Sequence, residues 1–289
     1  LFPYTTLFRS MVARLLAQKL SEQMGQPVVV DNKPGANGQI AAQTLLNAPS
    51  DGSTYLIAPL ITPVLSQIVY KKPGYDPARD FSPVGLLAHF QFGLAVPARH
   101  PARNIQEYVA WLKANPDKAN FGSPAVGSLP HFFGLLLGEA AGVNIVHVPY
   151  KGGPAMMTDL ISGQLASAIQ TTSELAPLHK EGKVRILGTF GSQRSRELPD
   201  VPTFAEAGYP KATGSGWYSL WARKGTSPEA IAAVNRAVNH ALLDPKLQPK
   251  WAELSLQPDP RTPQALEQLR VAEVAKWRPV IANSGFAIE

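Results

Sequence analysis

The sequence predicts an α/β protein of two lobes, and three observations carry that reading. Between Phe121 and Glu181 three strand–loop–helix units follow one another, with Gly142, Gly163 and Gly182 as the helix stops. Alternation of this kind implies a parallel sheet with right-handed crossovers. The 289 residues are too many for one small core and suit two domains, at ~100–200 residues per domain. A hydrophobic content of 45% with 17% charged residues describes an ordinary globular chain.

The first ten residues stand apart. Leu1-Phe-Pro-Tyr-Thr-Thr-Leu-Phe-Arg-Ser10 is the translation of CTC TTT CCC TAC ACG ACG CTC TTC CGA TCT, a common short-read sequencing adapter. Residues 1–10 are therefore expected to be an artefact, to be left out of fold reasoning like any processing scar. The authentic start, with any signal peptide, is expected to be lost. The alternation of Phe2, Tyr4 and Thr6 would still let the stretch pair as a strand.

From there the elements run in order. Val12, Leu15, Leu16 and Leu20 repeat at helical spacing, and Gly25 stops them. Pro27-Val-Val-Val30 reads as a short buried strand. A turn-rich loop to Gly38 precedes a helix with Ile40, Thr44 and Leu45, and Tyr55-Leu-Ile-Ala58 is the next strand. The loop Ala58-Pro-Leu-Ile-Thr-Pro63 leads to a short helix with Val64, Leu65, Ile68 and Val69. Phe90–Val96 alternates as a strand, and Pro97–Pro101 ends it with a rigid crossover.

Asn104 and Glu107 have the N-x-x-E spacing of a capping box. After the three central units, Val184–Phe190 reads as a strand and Thr203 and Glu206 cap a short helix. Trp217–Ala222 is a strand whose two tryptophans, Trp217 and Trp221, share one face and suit the core. Ser227-Pro228 and Thr262-Pro263 are N-cap and N1 pairs, and Asp244-Pro245 starts a helix between them. The lobes are accordingly expected as 11–97 with 214–289, and 98–213.

Composition narrows the function. The net charge is +6, but the 27 Lys and Arg are scattered without a basic run, so a solvated basic surface is expected and no nucleic-acid partner. Zero cysteines exclude a disulfide framework, a thiolate metal site and a cysteine nucleophile. No run reaches the ~18 apolar residues of a membrane span. The nucleophile elbow, Walker loop, H-E-x-x-H helix and dinucleotide fingerprint are all absent, so no cofactor or metal is expected.

The informative stretch is Phe121-Gly-Ser-Pro-Ala-Val-Gly-Ser-Leu-Pro-His131, a Gly/Ser loop between a strand and a helix. Ser128 is placed to cap the helix and Pro130 suits its first turn. Two further strand-to-helix loops follow, His147–Pro154 and Ile169–Glu174, and in parallel α/β sheets such loops share the edge where ligands bind. Helix N-termini hold anions through unpaired amides that carry about half a positive charge, without any arginine. Ser123, Val126, Gly127 and Ser128 would offer amides or hydroxyls, Gly152 and Gly153 close backbone approach, and Thr171 and Thr172 hydroxyls. His131 is expected to be neutral, a packing or hydrogen-bonding group. Lys151 sits on the rim or in solvent, and Tyr150 shapes the wall. The Ser128/His131 spacing keeps an acyl-transfer or hydrolytic enzyme on the same scaffold as the alternative, although no carboxylate is evident to orient the histidine.

Four segments carry a resemblance over nearly all of Met11 to Glu289: Val28-Val-Val-Asp-Asn-Lys-Pro-Gly-Ala-Asn-Gly38, Gly122-Ser-Pro-Ala-Val-Gly-Ser128, His147-Val-Pro-Tyr-Lys-Gly-Gly153 and Leu198-Pro-Asp-Val-Pro-Thr-Phe-Ala-Glu-Ala-Gly208. They resemble the hallmark blocks of the Bug family, the extracytoplasmic receptors of tripartite tricarboxylate transporters, and occur in the same order. The resemblance implies a type II periplasmic-binding-protein fold, two α/β lobes with a ligand cleft between them. It also implies a monomeric periplasmic receptor that captures a small carboxylate and delivers it to a membrane permease. Two departures stand out. The adapter occupies the place of the family's opening strand and first ligand loop, and the Ala58–Pro63 loop, with Thr62 as its polar candidate contact, is bulkier than the small polar loop of relatives.

Overall fold

A computed structural model describes residues 4–35 and 38–288, residues 4–9 as backbone. The chain divides into two compact units, Leu1–His89 with Trp217–Glu289, and Phe90–Gly216. Among the described residues no helix is long and apolar enough to cross a membrane.

The first unit is built on a four-stranded sheet in the order β1-β8-β2-β9. These strands are β1 (Tyr55–Pro59), β2 (Phe81–Phe90), β8 (Gly216–Arg223) and β9 (Gln257–Pro258). β1 runs antiparallel to β8 with Leu56 opposite Trp221, and β2 antiparallel to β9. Trp217 and Trp221, four residues apart and so on one face of β8, are both fully buried, as expected. Trp221 Nε1 donates to Ser219 Oγ (2.7 Å), which donates to Ala58 O (3.2 Å), so the strand pair is also tied through side chains.

Helices α1 (Tyr4–Met24), α2 (Gln39–Asn47), α3 (Ser66–Val69), α4 (Pro77–Asp80), α9 (Pro228–Leu243), α10 (Gln248–Glu253) and α11 (Pro263–Asn283) complete this unit. Val12, Leu16 and Leu20 bury one face of α1, and Gly25 ends it at φ 65°. Ser227 and Thr262 cap α9 and α11 by accepting the N–H groups of Ala230 and Ala265.

Several expectations are corrected here. From Tyr4 the adapter-like residues continue the first helix instead of pairing as a strand, while Leu1 to Pro3 lie outside the described residues. Pro27–Val30 forms no strand: Val29 is 84% exposed, and Val28 N donates to Ser21 Oγ (2.8 Å). This stretch, α1 and β1 line a cavity of about 560 Å³. The Ala58–Pro63 loop is in fact the end of β1 followed by a π-helical turn, Ile61–Leu65, that runs into α3. The helix expected at Asp244 starts at Gln248.

The second unit carries a five-stranded sheet in the order β5-β4-β6-β3-β7. The strands are β3 (Phe92–Pro97), β4 (Asn120–Ser123), β5 (Val146–Pro149), β6 (Ala168–Thr171) and β7 (Val184–Thr189). Helices α5 (Ile105–Ala114), α6 (Leu129–Ala141), α7 (Gly153–Ser162) and α8 (Thr172–Lys180) alternate with them. The change of unit falls between His89 and Phe90 because β3 pairs on both sides within this sheet. β4 is parallel to β5 and β6, as the three alternating units lead one to expect, while β3, from before those units, runs antiparallel to β6 and β7 and makes the whole sheet mixed.

Gly142 and Gly163 end α6 and α7 in the left-handed conformation, which a glycine adopts without Cβ strain. Asn104 Oδ1 accepts the Glu107 N–H (2.8 Å), while Glu107 reaches back to Arg103 N (2.7 Å). The reciprocal bonds of Thr203 and Glu206 also form, yet they close a turn and no helix follows. The core is apolar on both sheet faces, with Met156, Leu160, Leu165 and Leu175 on one cluster and the stacked rings of Phe133, Phe190 and Phe204 elsewhere.

Candidate ligand-binding edge

Strands β4, β5 and β6 end at one edge of the second sheet, with Ser123 paired to Pro149, and each hands over there to a helix. β4 leads through α6 to β5 on one side, and β6 leads through α8 to β7 on the other. The neighbours β4 and β6 therefore flank a topological switch point, where open α/β sheets bind ligands.

The three helices that start at this edge lack side-chain caps. Ser128 precedes α6, Gly152 precedes α7 and Thr171 precedes α8, and none of them accepts a helix N–H. By contrast α5, α9 and α11 are all capped. This corrects the expected role of Ser128, whose Oγ donates to Ala125 O (2.7 Å). Ser123 Oγ donates to the same carbonyl (3.0 Å). Two hydroxyls thus pull residues 123–128 into a closed turn and leave the helix end open.

Beneath that turn lies a pair of histidines. Ser123 Oγ is 2.7 Å from His147 Nε2, and the His147 ring stacks on His131 at 3.8 Å. His131 Nδ1 accepts the Gly127 N–H (3.2 Å), with Gly127 at φ 71°. Both imidazoles are lowered to about 4, His147 by burial and His131 by burial first and then by the neighbouring His147. Both rings are neutral at neutral pH, and the cause is burial first, where a helix dipole was expected. A hydroxyl has one proton, so with Ser123 donating to Ala125 O, His147 donates from Nε2.

The second loop is sewn to the first by backbone bonds: Tyr150 N donates to Ser123 O (3.0 Å) and Gly152 N to Pro124 O (2.9 Å). The Tyr150 hydroxyl donates to Asp159 Oδ2 (2.7 Å), and burial pushes it up to about 12. Lys151 is exposed, as is Val126. In the third loop Thr171 N donates to Gln170 Oε1 (2.9 Å), and the buried Thr172 is held by Gln91 O through its N–H (3.0 Å).

The edge thus brings together Ser123, Val126, Gly127, Ser128, His131, Tyr150, Lys151, Gly152, Gly153 and Thr171. Thr62 belongs to the first unit. It is buried in the π-helical turn, its Oγ1 has no hydrogen-bond partner among the described residues, and a Cβ on Gly38 would come within 2.7 Å of it. Sequence reasoning missed His147, Gln170 and Glu174 as site residues. The T-x-x-E spacing of Thr171 and Glu174 was the available signal for the last.

Chemically the edge suits binding better than turnover. Ser123 and His147 are at proton-transfer distance, but Ser123 is fully buried, its proton is committed to Ala125, and among the described residues no carboxylate orients His147. No group of three or more His, Cys, Asp and Glu among the described residues is arranged to hold a metal.

Two units, one of which delivers three open helix ends to the switch edge of a mixed sheet, define a solute-binding protein of the periplasmic type. The model of the tripartite tricarboxylate transporter family receptor matches residues 12–286, and the chain belongs to that family. Among solved structures it is similar to R. palustris Rpa4515 with adipate (33% identity, TM-score 0.83, covering 96% of this chain and 93% of that one). It is also similar to the periplasmic binding protein BugD (30%, TM-score 0.79, 96% and 93%). A third is MatC (Rpa3494) from Rhodopseudomonas palustris with bound malate (30%, TM-score 0.78, 94% of each chain).

Proposed function

We propose that the protein is a monomeric periplasmic receptor that captures a small carboxylate at the switch edge of its second unit and delivers it to the permease of a tripartite tricarboxylate transporter. The observation that carries this reading is the set of three uncapped helix starts on adjacent parallel strands. None of the three starts has a side-chain cap, and each presents the positive end of a helix dipole, an arrangement that favours a carboxylate without a basic side chain. Adipate and malate in two similar structures support the ligand class. Family membership supports the compartment and the permease partner.

Within the site, Val126, Ser128, Lys151, Gly153 and Thr171 are the proposed contacts. Ser123, Gly127, His131, Tyr150 and Gly152 hold the loops in place through the bonds described above. The protein acts by binding and not by catalysis, because the buried Ser123–His147 pair has neither access nor an orienting acid.

Calorimetric titration of the purified protein with mono-, di- and tricarboxylates tests the reading. Saturable heat without product is expected. Absence of binding across the panel, or turnover of any member, would overturn it.

A further inference from the structure

The first turn of α8 reads Thr171-Thr-Ser-Glu174, the spacing of a capping box, in which the glutamate accepts the Thr171 N–H and the threonine accepts the Glu174 N–H. Neither bond is made. Gln170 Oε1 takes the Thr171 N–H at 2.9 Å, and Thr171 Oγ1 accepts from Ser173 Oγ at 3.1 Å. The glutamate is turned instead toward α7. A Cβ on Gly153 would lie 3.0 Å from Glu174 Oε2 and 3.0 Å from Gln170 Nε2, so two polar ends converge over a residue whose missing side chain makes room for them.

The Glu174 carboxylate has no hydrogen bond or ion pair among the described residues. Burial, with no charge or hydrogen bond to offset it, raises its carboxyl above the ordinary range. A largely buried carboxylate without a partner is costly, and a neutral residue would avoid that cost. The group is also of the wrong sign for a second carboxylate laid against the start of α7, since like charges there repel. A donor of hydrogen bonds is what the carboxylate lacks.

We propose that Glu174 sets ligand specificity by receiving an ammonium or hydroxyl donor carried beside the ligand's carboxylate, so that the preferred solutes are amino or hydroxy carboxylates rather than plain ones. The ligand carboxylate then lies toward the open start of α6, and its donor group toward Gly153, Gln170 and Glu174. This inference rests on the carboxylate-receptor reading above.

The test is a calorimetric titration with matched acids on one carbon skeleton: propionate, lactate and alanine; succinate, malate and aspartate; adipate and 2-aminoadipate. The wild type is expected to bind a donor-bearing acid at least about tenfold more tightly than its plain counterpart. In Glu174→Gln and Glu174→Ala the preference is expected to shrink to about threefold or less. Their thermal midpoints should stay level or rise, because the glutamate bonds nothing in the protein. Equal affinities for plain and donor-bearing acids, a preference that survives both substitutions, or a loss of stability in both variants would overturn the role of Glu174 while leaving the receptor reading intact. If no acid in the series bound the wild type, the receptor reading itself would fall, and the inference with it.

Discussion

The imidazoles of His131 and His147 lie face to face, their centroids 3.8 Å apart and their planes 20° from parallel. One ring comes from the first turn of α6 and the other from β5, so the stack joins the two elements that carry the first two loops. Phe121 packs against both rings and Ser123 bonds one of them. Two imidazolium ions cannot share this space, and each ring is held neutral.

That arrangement sets a pH dependence. In the unfolded chain a histidine takes up a proton near pH ~6.5, whereas His131 and His147 in the fold resist protonation down to about 4. Between these values the unfolded state binds more protons, so stability is fully present above pH ~6.5 and falls as the pH drops toward about 4. After allowance for solvent screening the pair is expected to account for on the order of 1–3 kcal/mol. His89 and His100, also lowered chiefly by burial, add to the same slope. Urea midpoints from neutral to acid pH measure it, and His147→Gln should flatten it. An unchanged slope in that variant would refute the assignment.

The uncapped start of α6 makes a contrast in stability. Ser227→Ala and Thr262→Ala remove side chains that accept a helix N–H, and each is expected to cost about 1 kcal/mol. Ser128→Ala removes only a hydroxyl bonded to Ala125 O, with an expected cost of about 0.5–1 kcal/mol. Its larger effect should be on carboxylate affinity, because the turn that presents the amides loosens. Denaturant midpoints and calorimetry of the three variants separate the two effects.

Gly134 offers the sharpest packing test. A Cβ there would collide with Cε2 and Cζ of the Phe121 ring, and both residues are buried in the core. Gly134→Ala forces the phenyl ring against the histidine stack and should cost about 1–3 kcal/mol despite alanine's better helix propensity. A thermal midpoint equal to or above that of the wild type would show that the ring has space to move.

The loop between β5 and α7 separates backbone from side-chain recognition. Lys151 is exposed and Lys151→Ala should change carboxylate affinity little, by about 1 kcal/mol or less. Gly153→Val would drive a branched side chain into Gln170 and Glu174 and should weaken binding by about tenfold or more. Equal losses from the two substitutions would show that the lysine charge, and not the approach to the backbone, holds the ligand.

The sequence by itself determined most elements and the chemical character of one edge. Asn104, Ser227 and Thr262 announce helix starts, Gly142 and Gly163 announce helix ends, and the Gly/Ser loops announce open amides, because each signal is physics between residues a few positions apart. Only the tertiary structure decided what those residues meet. Ser123 and His147 are 24 positions apart, and sheet order makes them partners. Gln170 displaces Glu174 from its local capping box, and the crossover from β5 to β6 brings Gly153 under the freed carboxylate. Val28–Val30 has the composition of a strand yet forms none, since a strand needs a partner edge as well as a propensity. Local propensity is written in neighbouring residues, whereas register, burial and the loss of a competing hydrogen bond depend on contacts that exist only once the sheets are assembled.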